Sequence, residues 1–65
     1  MKVLDSIWFH QMGGALIGIV KVQTEYEGIK YFIGTASGVD EEEDAKHIAE
    51  TGGKFPIEAA EKLFS

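Results

Sequence analysis

The sequence predicts an α+β domain in which a three-stranded antiparallel sheet is followed by two short helices, in the order β-β-β-α-α. Two runs rich in β-branched residues, "ALIGIVKVQT" and "IKYFIGTA", are typical of strands, and glycines separate the strand candidates. Two segments with apolar residues at helical spacing close the chain. The 65 residues are therefore expected to form a single domain, residues 1–65.

The first predicted hairpin turns at two consecutive glycines. Gly13 and Gly14 follow the strand candidate "SIWFHQM", and such a pair favours a two-residue turn because both positions need positive φ. This turn places Trp8 opposite Ile19 and Phe9 opposite a strand glycine. An aromatic ring over a glycine is a common fit in sheets, so the sequence favours this register.

The second predicted hairpin turns at Glu27 and Gly28. This turn places Val22 opposite Ile33, and it aligns apolar residues and opposite charges across the two strands. A three-residue turn with Gly28 in the left-handed region is the alternative, and it shifts the pairs by one position. We prefer the two-residue turn because its alternation of apolar and polar residues is cleaner.

The two predicted helices carry start and stop signals. Asp40 is suited to cap the first helix, acids fill its first turn, and Gly52 is placed to end it in a left-handed conformation. Pro56 fits the first turn of the second helix. The buried stripe of the first helix is predicted to be Ala45, Ile48 and Ala49. The stripe of the second is predicted to be Ile57, Ala60, Leu63 and Phe64.

Both faces of the predicted sheet are apolar. One face is the natural platform for the helices, and two short helices cover only one face of a three-stranded sheet. A chain of this length also buries only about 60% of the surface that its unfolded state exposes. We therefore expect the other face to meet a second subunit, in a homodimer or a larger oligomer, or a ligand. Its central residues are Trp8, His10, Met12, Ile17, Ile19 and Phe32.

Composition excludes several classes of function. The net charge is −5 and no arginine is present, so duplex nucleic acid is not an expected partner. The absence of cysteine excludes disulfides and thiolate metal sites. No apolar run is long enough for a membrane span or a secretion signal, so we expect a soluble, cytoplasmic protein that does not bind membranes.

Two segments could carry chemistry, and each also has a purely structural interpretation. Residues 34–38 lead from a strand to a helix, where amides can hold an anion or simply cap the helix. His47 shares a helical face with Glu43 and Asp44, although a solvated charged face is expected there and no metal site is predicted. We expect no enzyme and no cofactor, because the chain has few serines, no cysteine, and carboxylates that are mostly predicted on an exposed helix. The groups to test first for catalysis are Asp5, His10 and His47.

The stretch "IGIVKVQTEYEGIKYFIGTASGVDEEEDAKHIAETGGKF" resembles small proteins of phages and prophages of Gram-positive bacteria, in which a hairpin, an "IGxxxGxxEExD" turn and a "GxKF" ending recur. It covers about 40 of the 65 residues. Some of these proteins are similar to sponges of the Thoeris anti-defence type, which sequester cyclic nucleotide signals of bacterial immunity. The matching positions are Gly34, Gly38, Glu42, Asp44, Gly52, Lys54 and Phe55.

The resemblance implies a non-enzymatic phage protein that sequesters a cyclic nucleotide and so inhibits antiviral defence. In that function Trp8, Tyr31 or Phe32 would stack on a base. The phosphates would meet Lys21, Lys30, Lys54 and the loop of Gly34, Ser37 and Gly38. The alternative is a homo-oligomeric module that binds and inhibits a host defence protein. Its anchors would be Trp8, Phe9, Met12 and Phe32.

Overall fold

The computed structural model describes all of residues 1–65 as a four-stranded antiparallel sheet with two helices. The α+β class is confirmed, whereas the expected number of three strands is wrong. No helix is both long and apolar enough to cross a membrane. The strands pair in the order β1-β2-β3-β4. The elements are β1 (Lys2–His10), β2 (Leu16–Gln23), β3 (Ile29–Ala36), α1 (Glu41–Thr51), β4 (Gly53–Phe55) and α2 (Ile57–Phe64).

The additional strand β4 lies between the two helices in the sequence and pairs with β3, with Phe55 opposite Tyr31. Three residues are too few to show a period-two pattern, so the sequence does not reveal this strand. Gly52, which precedes it, is extended rather than left-handed, with φ −70°. A side chain is excluded there by close contacts, because a Cβ would lie 2.5 Å from the Ile48 carbonyl oxygen and 2.8 Å from that of Ile33.

The first hairpin has a three-residue turn, Met12 to Gly14, instead of the predicted two-residue turn. The amide of Gln11 donates to the carbonyl of Ala15 at 2.9 Å, which closes the turn one residue earlier than expected. The register of β1 and β2 is therefore shifted by one, and Trp8 instead of Phe9 lies opposite Gly18. A shift of one residue moves every side chain of a strand to the other face.

The second hairpin turns through three residues, Glu25 to Glu27, and its register differs by three positions from the one we preferred. The Thr24 hydroxyl accepts from the Glu27 amide at 3.0 Å and donates to the Gly28 carbonyl at 2.6 Å. A two-residue turn would need positive φ at Glu27, and only glycines have positive φ in this chain. Val22 consequently lies opposite Lys30 instead of Ile33.

The two helices lie on opposite faces of the sheet, so the expectation that both cover one face is wrong. The face under α1, called here the α1 face, carries Trp8, Gly18, Val20, Val22, Phe32 and Gly34. The α2 face carries Ile7, Phe9, Ile17, Ile19, Lys21, Tyr31 and Ile33, because successive strand residues alternate between faces. The Tyr31 and Phe64 rings meet there, with centroids 5.4 Å apart.

The core lies between α1 and the α1 face. Ala45, Ile48 and Ala49 are buried, as the helical period predicts, and they pack on Val20 and Val22. Gly18 and Gly34 are paired across β2 and β3 directly under Ile48. A Cβ on Gly18 would come within 2.7 Å of Trp8 Cε3 and 2.9 Å of Ile48 Cδ1, so this glycine makes room for both side chains. Of the stripe predicted for α2, only Ala60 is buried, while Ile57 and Leu63 are exposed.

Candidate functional site

The loop between β3 and α1 holds an anion that belongs to the chain itself. The Ser37 amide and hydroxyl donate to Asp44 Oδ1 at 3.1 Å and 2.8 Å, and the Gly38 amide donates to Asp44 Oδ2 at 2.9 Å. Asp44 is 8% exposed. The Ser37 hydroxyl, followed by the two amides and the charge of His47, lowers the pKa of Asp44, although burial opposes this. The amides expected to meet a phosphate therefore already have a carboxylate partner.

The role of Asp44 was missed at the level of sequence because it is the last of four consecutive acids. Its position does carry a signal. Asp44 shares the helix face of Ala45 and Ile48, whereas Glu41 and Glu42 are exposed. An acid on the apolar stripe of a helix needs hydrogen-bond donors, and the preceding loop offers a hydroxyl and free amides. The structure shows that these groups satisfy it.

Two of the lysines predicted to bind a ligand line the same cavity. This cavity of about 230 Å³, called here the lysine pocket, lies where β4 passes into α2. Lys30 of β3 forms an ion pair with Glu27 of the preceding hairpin turn, and its Nζ lies 2.7 Å from Glu27 Oε2. The hydrogen bond and charge of Lys30, with a smaller contribution from Lys54, lower the pKa of Glu27. The lining residues are Lys30, Tyr31, Lys54, Phe55, Pro56 and Ile57.

The other residues predicted to bind a nucleotide do not join this pocket. Trp8 and Phe32 are half-buried against the core on the α1 face, and Gly34 lies under Ile48. Lys21 lies on the α2 face, opposite Asp5 in the neighbouring strand. Among the aromatic candidates, only Tyr31 lines the lysine pocket, and it is buried. A stacking platform with lysines beside it is therefore not assembled on either face.

The six predicted interface residues do not form one surface. Trp8 and Phe32 lie on the α1 face beneath the chain's own helix, whereas Ile17 and Ile19 lie on the α2 face. Ile19 is buried. His10 and Met12 are exposed at the end of β1 and in the following turn. The observed registers of the two hairpins differ from the predicted ones by one and three positions. Because both numbers are odd, residues predicted to share one face of the sheet lie on opposite faces.

Exposed apolar side chains concentrate at β1 and its turn. Met1, Leu4, Phe9 and Met12 are four of the eight large apolar side chains that are exposed in the chain. Leu4 lies at a β-bulge, since the pairing of β1 with β2 shifts between Val3 and Asp5. A cavity of about 350 Å³ lies between this bulge and the start of α1. This acidic groove is lined by Val3, Leu4, Asp5, Ser6, Glu41, Glu42 and Ala45.

The groups named as catalytic candidates are not brought together. Asp5 and His10 are five residues apart on the extended strand β1, about 16 Å, and they face opposite sides of the sheet. His47 is exposed on α1. No group of three or more His, Cys, Asp and Glu side chains is arranged to hold a metal ion. No known protein family, curated protein or solved structure matches the chain.

Proposed function

We propose that this chain is a non-enzymatic binding module that captures a partner protein through the acidic groove between β1 and α1. The observation that carries the proposal is the 44% exposed side chain of Leu4 in a groove that three carboxylates also line. Concave sites that combine apolar surface with a few charged groups are common binding sites. The resemblance to phage proteins makes a defence protein in the cytoplasm of the bacterial host the partner to test.

The groove indicates the chemistry of that partner. Its lining combines the apolar side chains of Leu4 and Ala45 with the carboxylates of Asp5, Glu41 and Glu42. An apolar side chain flanked by lysine or arginine matches both features, since the apolar group fills the groove and the basic groups meet the carboxylates. The net charge of −5 attracts such a partner from a distance and makes its association rate sensitive to salt.

Synthetic peptides test this chemistry directly. The probes are peptides with a central leucine or phenylalanine flanked by arginines, and matched peptides flanked by glutamates. We expect the basic peptides alone to shift the backbone amide resonances of residues 3–6 and 41–45 in a titration followed by NMR. Added salt should weaken the binding. Shifts spread evenly over the chain, or equal binding of both peptide sets, would contradict the proposal.

A pair of charge reversals supplies the control. The double variant Glu41→Lys, Glu42→Lys should weaken the binding of the basic peptides at least tenfold, because it inverts the charge at the groove. The double variant Glu58→Lys, Glu61→Lys changes the net charge by the same amount on α2, away from the groove. We expect that variant to lose only the long-range contribution. Equal losses in both would mean that charge alone, and not the groove, drives binding.

A second candidate function, capture of a cyclic nucleotide signal, is favoured by the lysine pocket. Lys30 and Lys54 supply positive charge there, and Phe55 and Ile57 supply apolar surface. The volume of about 230 Å³ is below the usual range for drug-sized ligands, roughly 300–1,000 Å³, so a single base or phosphate group is what it fits. Glu27 would compete with the phosphate for Lys30.

Thermal unfolding in the presence of cyclic mono- and dinucleotides tests this second function. A ligand at 100 times its Kd stabilises the folded state by about 2.7 kcal/mol, which raises the melting temperature measurably. Lys54→Ala should abolish the shift, and the ligand should be recovered unmodified after heat release. No shift with any cyclic nucleotide would exclude signal capture and leave peptide binding at the acidic groove unaffected.

A further inference from the structure

The outer edge of β1 has backbone hydrogen-bonding groups without a strand partner. The Gln11 amide donates to the Ala15 carbonyl at the end of the β1–β2 pairing. In an antiparallel pair every second residue bonds to the same neighbouring strand, so the backbone groups of Phe9 and Ile7 also bond to β2. The amides and carbonyls of Ser6, Trp8 and His10 therefore point outward. Consistent with this phase, the Ser6 amide donates to its neighbour's carboxylate, Asp5 Oδ1, at 2.8 Å.

Only half of this edge is protected against pairing. The first half contains Lys2, the bulge at Leu4 and Asp5, which are devices that keep edge strands apart. Residues 6–10 contain no lysine, aspartate, glutamate, proline or bulge. The opposite edge of the sheet, β4, is only three residues long and carries Lys54. Open strand edge is thus concentrated in one five-residue segment.

We infer that residues 6–10 pair in antiparallel fashion with the same residues of a second copy of this chain, about a two-fold axis at Trp8. Trp8 then lies opposite Trp8 of the second copy, Ser6 opposite His10, and Ile7 opposite Phe9. The pairing forms about six backbone hydrogen bonds, two of which replace the bonds from the Ser6 amides to Asp5, and it joins the two sheets into one. It also covers the exposed ring of Phe9 with the aliphatic side chain of Ile7 from the second copy.

The hydrogen-bonding phase selects this axis over its neighbours. An axis at Ile7 would place His10 opposite the bulge at Leu4, and an axis at Phe9 would place Ser6 opposite Met12 in the turn. Only the axis at Trp8 uses all three outward-pointing residues. No aspartate, glutamate or lysine lies in the segment, so the five net negative charges of each chain do not oppose one another there.

This assembly goes beyond the proposed function and is compatible with it. The acidic groove lies mainly along the protected half of β1 and shares only Ser6 with the paired segment. A dimer therefore presents two grooves, and a partner with two binding segments gains from linkage of the two sites. The pairing differs from the face-to-face stacking expected from the sequence, because it uses a sheet edge and leaves both faces to the helices.

Cysteine cross-linking tests the register, since the chain has no cysteine of its own. Ile7→Cys and Phe9→Cys chains are mixed and oxidised. Ile7 and Phe9 of the second copy form a non-hydrogen-bonded pair, whose Cα separation of about 4.5 Å suits a disulfide. We expect the mixed disulfide to exceed both symmetric disulfides. A dominant symmetric product of either variant would overturn the axis, and a chain that sediments as a monomer at every concentration would overturn the pairing.

Two proline variants test the edge without new cross-links. His10→Pro removes an outward amide of β1, and Lys54→Pro removes an outward amide of β4, so each keeps the bonds inside its own sheet. We expect His10→Pro to raise the dimer dissociation constant at least tenfold and Lys54→Pro to leave it unchanged, as measured by sedimentation of chains with native circular dichroism. Unchanged self-association of folded His10→Pro would overturn the proposal.

Discussion

The two helices differ in how firmly they are bound to the sheet. α1 spans eleven residues, its N-terminus is capped by Asp40, and four of its residues are buried. α2 spans eight residues, Pro56 at its N-terminus provides no side-chain cap, and Ala60 is its one buried residue. Both helices are amphipathic in sequence. The comparison shows that apolar spacing alone does not fix how much a helix stabilises a small domain; capping and close approach to the sheet decide it.

The close approach of α1 depends on the glycines of the α1 face. Gly18 and Gly34 present bare backbone to Ile48, and Trp8 extends over Gly18 from the neighbouring strand. No pair of glycines lies under α2 in this way. The aromatic contact of α2 with the sheet is the tilted pair of Phe64 and Tyr31. We therefore expect stability to be concentrated on the α1 face, and substitutions on the two sides test this difference.

The largest effect is expected from Ile48→Ala. Ile48 is 1% exposed and lies at the centre of the core, so removing three carbons leaves a cavity and should cost about 2–5 kcal/mol. Leu63→Ala is the matched change on α2, where the side chain is 44% exposed, and it should cost less than about 1 kcal/mol. Urea unfolding at one protein concentration measures both. Equal losses would remove the distinction between the helices.

Gly18→Ala should have the next largest effect. The new methyl group would overlap Trp8 and Ile48, and such overpacking typically costs about 1–3 kcal/mol. Gly53→Ala is the control, because a Cβ there would meet no atom within 4 Å. The fluorescence of Trp8 should change in the first variant alone. A stable, unchanged Gly18→Ala protein would show that α1 can move away from the sheet without loss.

Asp44→Asn should lower the melting temperature at neutral pH by several degrees. The change removes the charge that three hydrogen bonds from Ser37 and Gly38 satisfy, and an amide nitrogen cannot accept from either amide. Glu43→Gln is the matched control on the exposed side of the same turn. A variant as stable as this control would show that the loop contributes nothing to holding α1.

The pH dependence gives a second measurement on the same residue. The pKa of Asp44 is lower in the folded state than its ordinary value of 3.8, so its contribution is present above that value. It is lost as the pH falls through the lower, folded pKa. The wild-type protein should therefore lose more stability than Asp44→Asn when the pH is taken from 5 to about 2. Parallel pH profiles would contradict the assigned hydrogen bonds.

The smallest effect is expected from Asp40→Ala, at about 1 kcal/mol. The Asp40 carboxylate accepts from the Glu42 amide at 3.0 Å and from the Glu43 amide at 3.4 Å, and alanine leaves both without that partner. Asp40→Asn keeps the accepting oxygen and should change stability by only a few tenths of a kcal/mol. If both variants lose equally, charge at the helix N-terminus, and not the hydrogen bond, is what Asp40 supplies.

The helix period and the N-terminal capping signal predicted α1 well, whereas the left-handed end expected at Gly52 is wrong. Asp40 caps it and Ala45, Ile48 and Ala49 are buried, because both features depend on local sequence alone. Registers were not predictable in the same way. The length of the second turn depends on the hydrogen bonds of the Thr24 side chain and on the unfavourable energy of a positive φ at Glu27. An error of one residue in the length of a turn moves the side chains of a whole strand to the opposite face.

The candidate sites were likewise predictable only in part. Lys30 and Lys54 were each predicted as ligand contacts, and the structure brings them to one pocket through the pairing of β3 with β4, which the sequence did not reveal. The acidic groove was not predicted. It lies between the β-bulge at Leu4 and the start of α1, and neither the bulge nor the side of the sheet that α1 covers can be read from residue types.

Asp44 and the loop that binds it belong to the same chain, so any external anion competes with an internal carboxylate for the loop amides. A carboxylate held in the same chain as its donors acts at an effective concentration of roughly millimolar or more. A free phosphate group that sought the amides of Ser37 and Gly38 would have to displace this internal ligand. An anion that binds these amides no more tightly than the carboxylate does must therefore reach about that concentration to open the loop.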